Sequence, residues 1–153
     1  MAEHHFACRL RWTGAAEGPT RDYATFSREY EVLSEGKPPL VCSSAPAFKG
    51  DASKLNPEDL LVSALAGCHM LTYLALCARA GIEVVAYEDQ ASGRMTMKDG
   101  RMRFTEVTLA PAVRIAGGDL EAAHALHEKA HQQCFIANSV NFPVLAMPTV
   151  ERA

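Results

Sequence analysis

The segment from Asn56 to Gly81 limits the possible folds more than any other. Leu60 to Ala78 runs 19 residues without an Asp, Glu, Lys or Arg. Ahead of it, Asn56 can cap a helix, Pro57 suits the first helical position, and Glu58 and Asp59 complement the positive end of the helix dipole. Gly81 can end the helix. Nineteen residues is also about the length that crosses a bilayer. Ser63, His69, Thr72 and Tyr73 interrupt the run, however, and Ala and Gly dilute its hydrophobicity. The expectation is therefore a helix buried at the centre of a domain, with sheets to cover it, and no membrane span.

The chain has 153 residues, which suits one domain spanning residues 1–153. Fifteen Lys and Arg against 18 Asp and Glu give a net charge of −3, so nothing basic argues for nucleic acid. A 48% hydrophobic and 22% charged composition excludes disorder. Five cysteines, at 8, 42, 68, 77 and 134, form no even, closely spaced disulfide framework. The start Met-Ala-Glu-His-His lacks the basic and apolar regions of a secretory signal. Both observations suit a reducing cytoplasm.

Around the long helix, several stretches read as strands. Phe6, Cys8, Leu10 and Trp12 alternate with Ala7, Arg9 and Arg11, the period of a half-buried strand, which makes Cys8 a packing residue. Gly14 to Pro19 reads as a turn, Arg28–Leu33 and Leu40–Cys42 as further strands, and Ser43–Lys54 as a surface loop. Residues 83–97 and 101–115 form a long hairpin about Lys98-Asp99-Gly100. Thr105, Val107, Leu109, Val113 and Ile115 share one parity, while Met102 and Phe104 have the other, which calls for a bulge or two-sided burial. Asp119 caps a second helix that reaches about Gln133, and Pro143–Val150 is a closing strand. The order does not alternate as in a doubly wound sheet, so the fold is expected to be α+β, with antiparallel sheets packed on a long central helix.

Cys68 lies mid-helix, and Cys134 lies at or just past the end of the second helix, where a fold can bring the two together. Cys77 cannot bridge to Cys68 within one straight helix, because nine residues at about 1.5 Å each exceed the ~7 Å limit between bridged Cα atoms. A rival pattern is the stripe of His124, His127, His131 and Cys134, spaced three, four and three. Imidazole and thiolate ligate zinc, with Cys68 or His69 able to complete the set, so a metal- or small-ligand-binding protein using His127, His131 and Cys134 is the alternative to an enzyme. His124 and His127 also read as solvent-facing. His131, one turn before Cys134, could bond the thiol or a carboxylate, or cap the helix end. Neither a phosphate-binding glycine loop nor a G-x-S-x-G elbow occurs.

Asn56-Pro57-Glu58-Asp59-Leu60-Leu61, followed by Ala66-Gly67-Cys68 and later by Ala130-His131-Gln132-Gln133-Cys134, resembles the osmotically inducible and organic hydroperoxide resistance family, OsmC/Ohr. The resemblance spans most of the chain. It implies an intertwined homodimer of α+β subunits that reduces organic hydroperoxides without a metal or cofactor. Cys68 would then be the attacking thiol and Cys134 the resolving one, with a lipoylated or thioredoxin-like dithiol as reductant. A mid-helix cysteine gains little from the dipole, so it needs a nearby cation. The resemblance implies an arginine held by Glu58; Arg28 is the first candidate and Arg21 the second. Glu58 and Cys68 stand about 15 Å apart along one helix, so an antiparallel copy from a second chain is the simple way to join them. Leu65, Met70 and Phe135 are candidate pocket residues. Cys134 is followed by Phe-Ile-Ala-Asn-Ser where proline is common, and Cys68 by His69 where an aromatic is frequent, so the resemblance is to the broad family rather than to one branch.

Overall fold

A computed structural model describes residues 3–153. It contains two compact units, one ending at Leu60 and the other comprising Leu61–Ala153. In the first, β1 (Arg9–Trp12), β2 (Tyr30–Leu33) and β3 (Leu40–Cys42) form an antiparallel sheet in that order. Trp12 stands opposite Tyr30, and Tyr30 opposite Cys42. The strand expected from Phe6 starts only at Arg9, because its pairing with β2 ends at Arg9 opposite Leu33. Phe6 is 94% exposed, and Cys8 is exposed rather than packed.

The expected turn at Gly14–Pro19 is a short 3-10 helix over Thr13–Glu17. A side chain on Gly14 would meet the Ser27 carbonyl oxygen at 2.5 Å, so glycine is required there. Trp12 donates its indole N–H to that same carbonyl at 2.8 Å and meets Phe26 edge-on. In the expected loop after β3, Lys54 joins Glu29 at 2.6 Å and Asp51 at 2.7 Å. Full burial among the described residues up to Leu60 is confined to Gly14, Cys42, Ser43 and Asn56.

Helix α1 (Pro57–Arg79) begins as the sequence indicates. Asn56 Oδ1 accepts the Asp59 backbone N–H at 2.9 Å, and Asp59 Oδ2 accepts the Asn56 N–H at 3.3 Å, a reciprocal capping pair. Its far end closes through Gly81, whose φ of 71° is left-handed.

The second unit is built on the hairpin. β5 (Ser92–Lys98) and β6 (Arg101–Leu109) turn at Asp99 and Gly100, both at positive φ as a primed two-residue turn requires. β4 (Glu83–Asp89) and β7 (Pro111–Gly117) extend the same antiparallel pairing beyond a break at Ala110, so two sheets arise where one was expected. The break is bridged by Asp89 Oδ1, which accepts the Ala110 N–H at 2.8 Å. The expected bulge is present. Register shifts between Arg94 and Met95, and the hydroxyl of the extra residue, Thr105, donates to the Arg94 carbonyl.

Helix α2 (Leu120–Gln133) is capped by Asp119, which accepts the Ala122 N–H at 2.7 Å. The single closing strand is instead two, β8 (Val144–Ala146) and β9 (Thr149–Arg152), interrupted at Pro148, which has no N–H to donate. Both run parallel to their partners, Val144 beside Val107 and Thr149 beside Ala112. The sheets are therefore mixed rather than purely antiparallel, with orders β4-β7-β9 and β5-β6-β8.

In this unit α1 contributes Leu65, His69, Tyr73, Leu76 and Cys77 to the interior. Tyr73, Leu76 and Cys77 pack with Ile82, Val113, Ile115, Ala123 and Ala130. Leu65 packs with Val107, Leu109 and Val144. The helix is long and apolar enough to cross a membrane by length and composition, and these packed residues account for one of its apolar faces.

Candidate active site

Cys68 occupies the middle of α1 and is half-buried; Cys134 is the C-cap of α2 and is buried. Both are free thiols, and they lie close enough that Cys68 contributes to the proton affinity of Cys134. Each has a defined local setting. The Thr72 hydroxyl donates to the Cys68 carbonyl at 2.8 Å. Cys134 leaves helical geometry at ψ 111°, where its N–H still reaches the His131 carbonyl and its sulfur accepts the Ala137 N–H at 3.5 Å. Burial pushes the Cys134 thiol up to about 11, against the lowering effect of the backbone N–H groups of Ala137 and Ile136; the neighbouring Cys68 thiol raises it further. Cys134 thus holds its proton at neutral pH.

A cleft of about 590 Å³ runs along the exposed side of α1 past Leu71, Thr72 and Ala75 and is bounded by Gln133 and Phe135, which flank Cys134. Phe135 is 80% exposed and lines it. Leu65 is not a lining residue but a fully buried core residue, because it turns toward β6 and β8. Met70 is half-buried.

In the first unit, Arg28 folds back on its own loop. Its guanidinium lies 3.7 Å from the centroid of the Phe26 ring and donates to the carbonyls of Tyr23 and Phe26. Glu58 faces Tyr30, and its Oε2 is buried without a hydrogen-bond partner among the described residues. Arg21 is exposed.

The histidines differ from the sequence reading. His124 is exposed, but His127 is buried rather than solvent-facing. Its ring stacks on Tyr73 with centroids 3.8 Å apart, and its Nδ1 lies 3.0 Å from His69 Nε2. Burial drives His69 down to about 4, with His131 adding repulsion, and His127 down to about 3, with His69 and His124 adding repulsion. Both are neutral imidazoles at pH 7. His131 does not bond the Cys134 thiol; its Nδ1 is buried without a partner among the described residues. His127, His131 and Cys134 are not gathered as ligands, and no group of three His, Cys, Asp or Glu side chains among the described residues is placed to hold a metal. His127 turns one ring nitrogen to His69 instead.

The His69, Tyr73 and His127 cluster is a buried feature that the charged neighbours of His127 mask in the sequence. Its signal was available in the run Ala123, His127, Ala130 and Cys134, spaced four, three and four, which puts His127 on the buried stripe of α2.

Residues 50–145 match the family model described as OsmC-like protein. A Bacillus subtilis (strain 168) protein, YmaD, described as uncharacterized, is 24% identical over 144 residues, covering 92% of this chain and 89% of that one. An OsmC-like protein of unknown function from Vibrio cholerae has a similar solved structure, with a TM-score of 0.87 and 29% identity over 97% of this chain and 100% of its own. An organic hydroperoxide resistance protein from Elizabethkingia anophelis shares the fold at a TM-score of 0.68 and 20% identity, covering 99% of this chain and 100% of that one.

Proposed function

Because this chain belongs to the OsmC-like protein family, we propose that it is a cysteine-based peroxidase that reduces organic hydroperoxides, with Cys68 as the attacking thiol and Cys134 as the resolving thiol. The observation that carries this reading is the pair of neighbouring free thiols itself, Cys68 half-buried and Cys134 buried and protonated, with Gln133 and Phe135 on either side of Cys134 lining a cleft. Family membership supports it, since structural relatives include proteins described as organic hydroperoxide resistance proteins.

The Cys68 thiolate attacks one peroxide oxygen; the O–O bond breaks, and the alkoxide takes a proton and leaves as an alcohol. Cys68 is now a sulfenic acid. The Cys134 sulfur then forms an S–S bond to Cys68 as the S–OH bond breaks, and the departing hydroxide takes the Cys134 proton to become water. An external dithiol, of the lipoylated or thioredoxin-like class, restores both thiols by two exchange steps. A cysteine held protonated until this moment cannot itself compete for peroxide, which keeps the order of events fixed.

The cation that ionises Cys68 is assigned to an arginine held by Glu58, whose buried Oε2, without a partner among the described residues, is suited to a guanidinium. Arg28 is the first candidate and Arg21 the second; Arg28 would have to exchange its present carbonyl partners for the carboxylate. A homodimer in the cytoplasm completes the reading. The first unit leaves Leu10, Leu40, Val41 and Phe48 exposed, which is apolar surface that a second copy would cover.

The test is peroxide consumption with a dithiol reductant. Cys68→Ser should abolish it, and undiminished consumption would overturn the assignment. Sedimentation of the active protein as a monomer would remove the dimer from the account.

A further inference from the structure

The face that α2 turns to the interior consists of Ala123, His127, Ala130 and Cys134, all buried. Three of these are small. His127 is the one bulky side chain in this fully buried row, with Leu120 and Leu126 packed partly buried at its margins, so it can act as a knob that fixes where α2 sits along α1. Opposite it, α1 offers His69, Tyr73 and Leu76. A second polar tie, from the Tyr73 hydroxyl to the Ala123 carbonyl at 3.0 Å, ends on a backbone oxygen. Carbonyls recur at every turn, so that tie does not distinguish one register from the next. The His69–His127 hydrogen bond does, because both partners are side chains and both are buried.

Resting on the peroxidase reading, we infer that His127, through its hydrogen bond to His69, is a positioning residue that sets the register of α2 on α1 and so holds the Cys134 sulfur within bonding reach of Cys68. His69 is the immediate neighbour of Cys68, and His127 lies two turns before Cys134 on the same stripe. Slippage by one turn would put an alanine where the imidazole sits and move Cys134 by about 5.4 Å, which ends the thiol–thiol contact. A buried polar pair that specifies one register among several apolar alternatives is a known physical device.

The test uses thiol–disulfide exchange with glutathione in the full-length protein carrying Cys8→Ser. Two electrons pass from the Cys68 and Cys134 thiols to glutathione disulfide, an S–S bond forms between the cysteines, and two glutathione thiols carry away the protons. The equilibrium gives the effective concentration of one thiol at the other. His127→Phe keeps a ring to stack on Tyr73 and removes the hydrogen bond; His127→Gln keeps a side chain that can bond His69. The account expects a fall of about tenfold for the first, the scale of one net hydrogen bond, and a value within about threefold of wild type for the second. An unchanged value for His127→Phe overturns the inference, and so does an equal fall in His127→Gln. If His127→Phe fails to fold, His127→Gln and His69→Gln carry the test, and a fall of about tenfold in either overturns it. No peroxide enters this exchange. A wild-type protein that forms the bridge with glutathione disulfide yet consumes no hydroperoxide would count against the peroxidase reading alone.

Discussion

His69 Nε2 and His127 Nδ1 meet at 3.0 Å in the interior of the second unit, two neutral rings where water does not reach. Their proton affinities are depressed to about 4 and about 3 from an ordinary 6.5, so the unfolded chain binds protons that the folded chain refuses. Stability from this pair is complete above pH 6.5 and is lost as pH falls toward the folded values. The loss should reach a few kcal/mol near pH 4, at about 1.4 kcal/mol per tenfold difference in proton affinity. Urea unfolding across this range should show a shallower decline for His127→Gln than for the wild type. Equal slopes would contradict the assignment.

Cys134 should be slow to alkylate. Its thiol, raised to about 11, supplies little thiolate at pH 8, and burial restricts access. Iodoacetamide labelling followed by peptide mapping should mark exposed Cys8 well before Cys134, with the Cys134 rate still climbing as pH approaches 11. A Cys134 rate that levels off near pH 8 would contradict the raised affinity.

Cys134→Ser should leave the first chemical step intact and remove the second. After one equivalent of hydroperoxide, intact mass should show Cys68 gaining one oxygen, and an excess should add a second, because no thiol intercepts the sulfenic acid. Persistence of a Cys68 disulfide within the chain would assign resolution to another cysteine.

The cap of α1 should be worth measuring directly. Asn56→Ala removes the acceptor of the Asp59 N–H, with an expected cost of about 1 kcal/mol in chemical denaturation. No change in midpoint would mean that the helix start is set elsewhere.

Gly93 of β5 faces Phe104 of β6 and Val62 of α1. An added methyl would lie 2.5 Å from Phe104 Cε1 and 2.9 Å from Val62 Cγ2, so Gly93→Ala should cost roughly 1–3 kcal/mol by overpacking. A variant as stable as the wild type would show that Phe104 moves aside without cost.

Elements with strong local signals were legible in the sequence. The Asn56 and Asp119 caps, the Asp99-Gly100 turn and the alternation through Val107, Leu109, Val113 and Ile115 each depend on neighbours in the chain, and each holds in the fold. What failed depends on distant partners. Phe6 and Cys8 alternate correctly but run past the end of β2, so no strand pairs with them. Nothing local to Val144 or Thr149 reveals that both strands lie parallel to the hairpin. His127 looked solvent-facing because Glu128 and Lys129 adjoin it, although its own spacing from Ala123, Ala130 and Cys134 put it on the inner stripe. The cysteine pair could be named from spacing and resemblance; the burial that sets the Cys134 proton could not.

The central claim is that Cys68 and Cys134 exchange a peroxide oxygen for a bond to each other. Intact mass and peptide mapping after one equivalent of an alkyl hydroperoxide test it most directly. The account predicts a loss of two hydrogens, with the Cys68 and Cys134 peptides joined. An unchanged mass, or a bridge that omits either cysteine, would contradict it.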